Sequence, residues 1–254
     1  MIFPKIKVLL SHGRQNIPDL TQVELSEEFR GRPVLSASDD MTAVEAAAAL
    51  CPTGAITTKP FTLDLGRCLF CGECARRAPQ NIRFTNDYRL ATTSREALVV
   101  KVGDDKIDFC PANVDKAKAK LFRSSLKLRQ VSAGGDASIE MELNATGNVN
   151  FDFGRYGVEF TASPRHADGV VITGPISSAM AEPLKICYDA VAEPKYLFVC
   201  GSEACSGGLF AESKAVNREF LAGHSVDLWM PGAPTHPMTF IDGVMTLLGR
   251  KKRE

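Results

Sequence analysis

Apolar residues in the second half of the chain gather into short runs that alternate with helical stretches, the pattern of strands buried on both faces of a parallel α/β layer. Three runs stand out: Gly169 to Ile172, Tyr196 to Cys200 and Val226 to Met230. Each leads into a loop of small residues, Thr173-Gly174-Pro175, Gly201 to Gly208 and Pro231-Gly232-Ala233-Pro234. In open parallel sheets the loops at the carboxyl ends of the strands form one crevice, so a ligand site is expected there. The first half is less periodic. Residues 1–40 mix Pro, Gly and charge, as an extended arm does. Met41 to Leu50 then reads as a helix, capped after Asp39-Asp40 by an Asp or by Thr42. Asn81 to Phe84 and Ala97 to Val102 read as strands, and Lys116 to Lys127 as a basic, partly amphipathic helix. A boundary near residue 118 separates an α+β unit, residues 1–118, from an α/β unit with a parallel sheet, residues 119–254.

Cysteine spacing supplies the chemistry. Cys51 precedes a proline, and seventeen residues on come Cys68, Cys71 and Cys74 in a Cys-x-x-Cys-x-x-Cys run. In bacterial two-cluster ferredoxins the run C-x2-C-x2-C-x3-C-P lends its last cysteine to the other run's cluster. By that rule Cys51, Cys68, Cys71 and Cys74 ligate one 4Fe-4S cluster. The places for the other cluster hold Met41, Val44, Ala47 and Ala78, so all four of its ligands are missing. The first unit therefore reads as a ferredoxin-like module reduced to a single centre. Ordinary buried thiols or a zinc site are the alternatives, and zinc usually takes two pairs at longer separation.

Charge narrows the partners. Lys and Arg total 30 and Asp and Glu total 30, so nothing favours nucleic acid, whose phosphates call for a basic face. Thiolate ligands point to a reducing compartment, the cytoplasm. The opening Met1-Ile2-Phe3-Pro4-Lys5-Ile6-Lys7 meets lysines too early for a signal peptide, and no uncharged run has the length of a membrane span. Any membrane link is expected to run through partners. Low-complexity segments and further repeats are absent.

Several ordered motifs carry a family resemblance. Arg123-Ser124-Ser125-Leu126, Val131-Ser132-Ala133-Gly134-Gly135, Phe153-Gly154-Arg155-Tyr156-Gly157, Ala162 to Asp168, Thr173-Gly174-Pro175 and Glu193-Pro194-Lys195 resemble the small subunit of group 4 nickel-iron hydrogenases. The 20 kDa subunit of complex I is similar. The resemblance covers roughly residues 120–249 and implies a flavodoxin-like three-layer fold. Phe29-Arg30-Gly31-Arg32-Pro33 and the cysteine module resemble the neighbouring iron-sulfur subunit of formate hydrogenlyase-type complexes, so the chain looks like a fusion of two electron-transfer subunits. Such families hold a further 4Fe-4S cluster in the crevice on four cysteines. Here those places are Asp136, Ile139, Glu203 and Ala233.

The crevice is then expected to be filled by its own side chains, with Asp136 and Glu203 facing solvent or capping an amide. A new metal site on Asp136, Glu203, Cys205 and His236 is the sharper alternative. A flavin phosphate held by Ser177, Ser178, Ser206 and Gly207 is the third, weakened by the N–H that Pro175 lacks. Cys110 and Cys187 read as buried apolar thiols, Cys200 as a strand-end thiol, and Arg165 as a salt-bridge partner of Asp168 or Asp152 beside His166. The tail Arg250-Lys251-Lys252-Arg253 is a solvated end or a contact for anionic lipid.

What the resemblance implies is an electron-transfer subunit of a membrane-associated hydrogenase-4, formate hydrogenlyase or complex I-like oxidoreductase. It would carry one 4Fe-4S cluster and lie on the cytoplasmic face of the membrane, held there by a hydrogenase large-subunit-like protein and membrane subunits. A scaffold subunit stapled by its cluster, and an enzyme with a repurposed cofactor pocket, are the competing readings.

Overall fold

The computed structural model describes residues 3–13, 15–38 and 40–251. In chain order the first half forms α1 (Phe3–His12), β1 (Pro33–Leu35), α2 (Thr42–Leu50), β2 (Ile56–Thr58), β3 (Phe61–Asp64), α3 (Glu73–Arg77), β4 (Ile82–Phe84), β5 (Val99–Lys101) and α4 (Lys116–Leu121). The second half forms β6 (Leu126–Ser132), α5 (Ser138–Ala145), β7 (Val158–Phe160), β8 (Gly169–Thr173), α6 (Ser178–Asp189), β9 (Tyr196–Cys200), α7 (Ser202–Ser206), α8 (Glu219–Gly223), β10 (Leu228–Met230) and α9 (Pro237–Leu247).

The second half is a five-stranded parallel sheet in the order β10-β9-β8-β6-β7. Counted from β6, this is the 2-1-3-4-5 order of flavodoxin-like sheets, and its direction reverses between β6 and β8. Strands β8 and β9 are buried along their whole length, as parallel strands covered on both faces must be. Alternate side chains divide between two helix layers. Val170, Ile172 and Leu197 pack with Leu184 of α6 and Phe220 of α8. Val171, Phe198, Leu128 and Met230 pack with Leu143 of α5 and Phe240 and Val244 of α9.

The first half contributes an antiparallel pair, β1 with β4, and a three-stranded antiparallel sheet, β2-β3-β5. It covers the far side of α9, which explains why almost every residue of that helix is buried. Its backbone also closes the exposed edge of the parallel sheet. Thr92 and Trp229 exchange N–H to carbonyl bonds of 3.0 and 2.8 Å, so the edge strand β10 offers no free ladder.

Several expectations need correction. The extended arm contains a helix, α1, although residues 15–32 are irregular as expected. The α2 helix starts at Thr42 and its cap position is Met41, with no side-chain cap; the Asp40 carboxylate instead accepts the Thr42 amide at 2.9 Å. Asp39 lies outside the described residues. The helix expected over Lys116 to Lys127 stops at Leu121, because Leu126 and Leu128 are fully buried on alternate positions and start β6. Strands β6 and β7 were not read from the sequence. A 3-10 turn, Glu96–Leu98, takes the start of the strand expected over 97–102.

Gly243 of α9 faces Ala91, and a Cβ added there would stand 2.6 Å from the Ala91 Cβ. Gly243→Val should therefore cost about 1–3 kcal/mol through overpacking, read as a lowered urea midpoint. Ala91→Gly should restore part of that loss, and equal midpoints for Gly243→Val and the parent would rule out this close seam.

Candidate functional site

The four cysteines of the ferredoxin-type spacing converge on one pocket. Cys51 caps the end of α2, Cys68 follows β3 in a turn bonded to Asp64 (Cys68 N–H to Asp64 O, 3.0 Å), and Cys71 and Cys74 bracket the start of α3. Two residues in the left-handed region, Phe70 (φ 51°) and Gly72 (φ 79°), fold the run back on itself. All four thiols line the pocket together with Ala47, Leu50, Ala55, Ile56 and Leu63. Two of the sulfurs accept backbone amides: Ala55 N–H to Cys51 Sγ at 3.3 Å and Phe70 N–H to Cys68 Sγ at 3.2 Å. None of the four is in a disulfide, and Cys71 is the exposed one.

Burial pushes the Cys68 thiol up to about 12 and Cys74 up to about 11, each further opposed by the charge of its cysteine neighbours. Four thiolates in an apolar pocket need cations to coexist. The donor set fits an iron-sulfur cluster: four thiols, apolar walls and amide N–H groups aimed at sulfur, the group type that tunes cluster potentials. Among the described residues no three His, Cys, Asp or Glu side chains stand close enough to hold a single metal ion. A cluster asks less of its ligands, since each thiolate binds a different iron, whereas one tetrahedral zinc at 2.3 Å draws its sulfurs to about 3.8 Å of each other.

The crevice at the carboxyl end of the parallel sheet is built from tightly stacked backbone. A Cβ on Gly174 (φ 79°) would lie 2.5 Å from Gly135 N, which only glycine avoids. Asp136 accepts the Ser138 hydroxyl at 2.6 Å and its amide at 2.9 Å, and these bonds hold its carboxyl below the usual range. Ile139 is buried in the core with its tip against Gly201 and so fills the space between the loops. Glu203 approaches Gly135, and burial, with the nearby Asp136 and Glu140 charges, raises its carboxyl. Glu140 accepts the Thr173 hydroxyl at 2.5 Å. Ala233 is exposed on the next loop.

The remaining candidates disperse. Cys205 points into the first half, where burial pushes it up to about 12 despite Arg95 and Arg218 beside it. His236 caps α9 through Nδ1, which accepts the Met238 amide at 3.1 Å; its ring lies against Phe29 and Phe151, and burial lowers its pKa. Asp136 and Glu203 are therefore neighbours, while Cys205 and His236 face elsewhere. Ser178 and Ser206 donate to the backbone carbonyls of Lys214 and Ser202, and Ser177 packs against Gly134. Cys110 and Cys187 are half-buried and Cys200 is buried. Arg165 and His166 are exposed, and Asp168 accepts the Lys127 amide at 2.7 Å instead of pairing with Arg165. Lys252 and Arg253 lie outside the described residues.

Two links escaped the sequence reading. The buried Ser202 hydroxyl donates to Cys68 O at 2.7 Å, joining the cysteine loop to the start of α7. Arg30 donates from Nε to Phe70 O at 2.5 Å and overlies Gly72. A cleft of about 240 Å³ lined by Arg30, Cys71, Ala233, Pro234 and His236 runs between the candidate centre and the crevice loop. A serine after a strand and an arginine in an irregular segment give no local signal for either role.

The family described as NADH ubiquinone oxidoreductase, 20 Kd subunit, matches residues 137–247. An NADH-quinone oxidoreductase subunit of Geotalea daltonii is 35% identical over 120 residues, 47% of this chain and 70% of that protein. This chain belongs to that family. The corresponding subunit of Desulfovibrio desulfuricans is 42% identical over 113 residues, 44% of this chain, and the chain spans 61% of that relative's length. A chain of the membrane-bound sulfane sulfur reductase, an archaeal respiratory membrane complex, has 22% identity and a TM-score of 0.46, covering 53% of this chain and 75% of that one. The 20 kDa family match takes in Ile139, Glu203 and Ala233 but not the cysteine pocket, which lies wholly in the first half. Among the described residues no helix is long and apolar enough to cross a membrane.

Glu203 gives a pH test of this crevice. Its folded pKa is raised, so its contribution to stability is full below the ordinary value of 4.5 and is lost as pH rises through the folded value. Glu203→Gln should then unfold at a higher temperature than the parent at pH 7, with the difference shrinking toward pH 4. A difference independent of pH would show that Glu203 does not titrate in this environment.

Proposed function

We propose that the chain is an electron-transfer subunit of a membrane-associated oxidoreductase complex, with one 4Fe-4S cluster on Cys51, Cys68, Cys71 and Cys74. The convergence of these four thiols on one apolar pocket, with amides aimed at two of the sulfurs, carries the reading. In it, residues 1–118 are a ferredoxin-type unit fused to a hydrogenase small-subunit-like unit, residues 119–254, that lacks cluster ligands at Asp136, Ile139, Glu203 and Ala233. The assembly is of the group 4 hydrogenase, formate hydrogenlyase or complex I kind, which the kinship with NADH-quinone oxidoreductase subunits supports.

Such a subunit docks a large-subunit homologue over the crevice and lies on the cytoplasmic face beside membrane subunits. The cluster supplies one-electron transfer when bound. The chain's own part is to keep the sulfurs dry on the Leu63 side, to offer amide donors to them, and to leave Cys71 open toward the cleft with Arg30 and His236. A scaffold role is the second reading, favoured by the Ser202 bond that staples the cysteine loop to the α/β layer.

Anaerobically purified chain should hold about four irons and, after dithionite reduction, give one S = 1/2 EPR signal. Cys68→Ala or Cys74→Ala should abolish the signal, whereas Cys110→Ala and Cys187→Ala should leave it unchanged. Iron below one atom per chain would sink the cluster, and about eight irons would sink the single-cluster reading. In the assembled complex, Cys71→Ser that preserved assembly but stopped turnover would eliminate the scaffold.

A further inference from the structure

Helix α1 is amphipathic and unpartnered: none of its ten residues is buried. Phe3, Ile6, Leu9 and Leu10 are 85%, 44%, 69% and 77% exposed. At 100° per residue these four fall in one arc, with Lys5 on one edge and Lys7 on the other. Ser11 and His12 take the opposite side, where Pro4 and Val8 are the apolar exceptions, and the helix has no acidic residue. An apolar arc edged by lysines whose stems can reach past it is the build of a helix that lies in a lipid headgroup layer.

A second feature lies where the segment after α1 meets the body of the protein, at Ile17 and Arg155. Arg123, Arg155 and Arg250 line one shallow cleft with no acidic residue in its walls. Arg123 also lines an adjoining groove of about 610 Å³ whose floor includes Ile107, Phe109 and Leu247, and whose cations are Lys106, Lys116, Lys120 and Lys251. Asp108 is the one carboxylate among the lining residues of the two, and Lys251 pairs with Asp242 at 2.8 Å. Partial burial, and then the Arg123 charge, disfavour the charged form of Arg250, whose guanidinium has one donor on the Tyr156 carbonyl and no carboxylate beside it in the cleft. Like charges held together in this way call for an anionic occupant. Ile17, five residues beyond α1, accepts a bond from Arg155 at 2.5 Å and donates to Asn150 O at 2.8 Å. The C-terminal end of the helix is thereby tethered within about 18 Å of Ile17 and so near the arginine cluster.

We infer that this face binds an anionic phospholipid surface directly, α1 lying in the headgroup layer and Arg123, Arg155 and Arg250 meeting lipid phosphates. This attachment belongs to the chain itself and does not depend on the iron-sulfur reading. Nucleic acid would leave the four apolar side chains of α1 without a partner, and lipid satisfies both features at once.

Flotation of the full chain with vesicles tests this. Binding is expected to vesicles containing about a third phosphatidylglycerol, to be absent with phosphatidylcholine alone, and to fall as salt rises. Leu9→Glu with Leu10→Glu should weaken it at least about tenfold, and Lys116→Glu with Lys120→Glu should weaken it about fivefold per removed cation. The substituted residues are exposed, so unchanged thermal melts are expected and control for folding. The inference fails if anionic vesicles are not bound, if neutral vesicles bind equally, or if the α1 variant binds as the parent does. It also fails if light scattering shows a dimer that the α1 variant splits, since a second copy would then cover the arc.

Discussion

The Ser202 hydroxyl is the point on which the two halves of this protein are registered. It is fully buried, donates to Cys68 O at 2.7 Å and accepts the Gly232 amide at 3.2 Å. One side chain at the start of α7 thus ties the cysteine loop to the carboxyl ends of β9 and β10. A buried hydroxyl without those partners would pay a desolvation penalty of about 1–3 kcal/mol, so the arrangement holds only when all three segments are in place. The pocket of four thiols is therefore fixed to the α/β layer rather than hung from a loop.

Charge is managed at the same seam. Arg95 makes a two-pronged pair with Asp64 at 2.8 Å for each bond, next to the buried Cys205. Such a pair gains little over an apolar filling, but losing one partner strands the other, partly buried, at the seam. Arg218 donates to Ala204 O at 2.7 Å and satisfies the carbonyls of α7 from the opposite side. These guanidiniums surround Cys205 without making it a ligand, because burial outweighs their charge and keeps the thiol protonated.

The contrast between pocket and crevice follows from packing. Around Cys51, Cys68, Cys71 and Cys74 the walls are mostly apolar, and two of the sulfurs already receive amides. In the crevice Ile139 occupies the centre, while the carboxylates of Asp136 and Glu140 are engaged by neighbouring hydroxyls and Glu203 is left partly buried. The first arrangement suits a cationic cluster, the second a closed protein interior. The cleft beside Cys71 joins the two places and gives the exposed thiol its route toward the crevice loop.

By itself the sequence determined the features that depend on local spacing. The Cys51, Cys68, Cys71 and Cys74 register, the helix before Cys51, and the apolar runs that became β8 and β9 were all legible, because helix turns and doubly buried strands leave short-range patterns. Tertiary structure decided the rest. Strand β6 was hidden because Leu126 and Leu128 become a strand only through pairing with β7 and β8, which lie thirty to forty residues away. The amphipathic α1 was hidden by a short stretch mixing Pro, Lys and apolar residues, and helix-capping logic placed a cap where the structure has none. Whether Cys205 would meet Glu203 or Arg95 depended on which face of α7 turned inward, and Ser202 bonding to Cys68 settled that orientation. Spacing along a chain fixes which groups can meet within a turn, and packing between distant segments fixes which of them do.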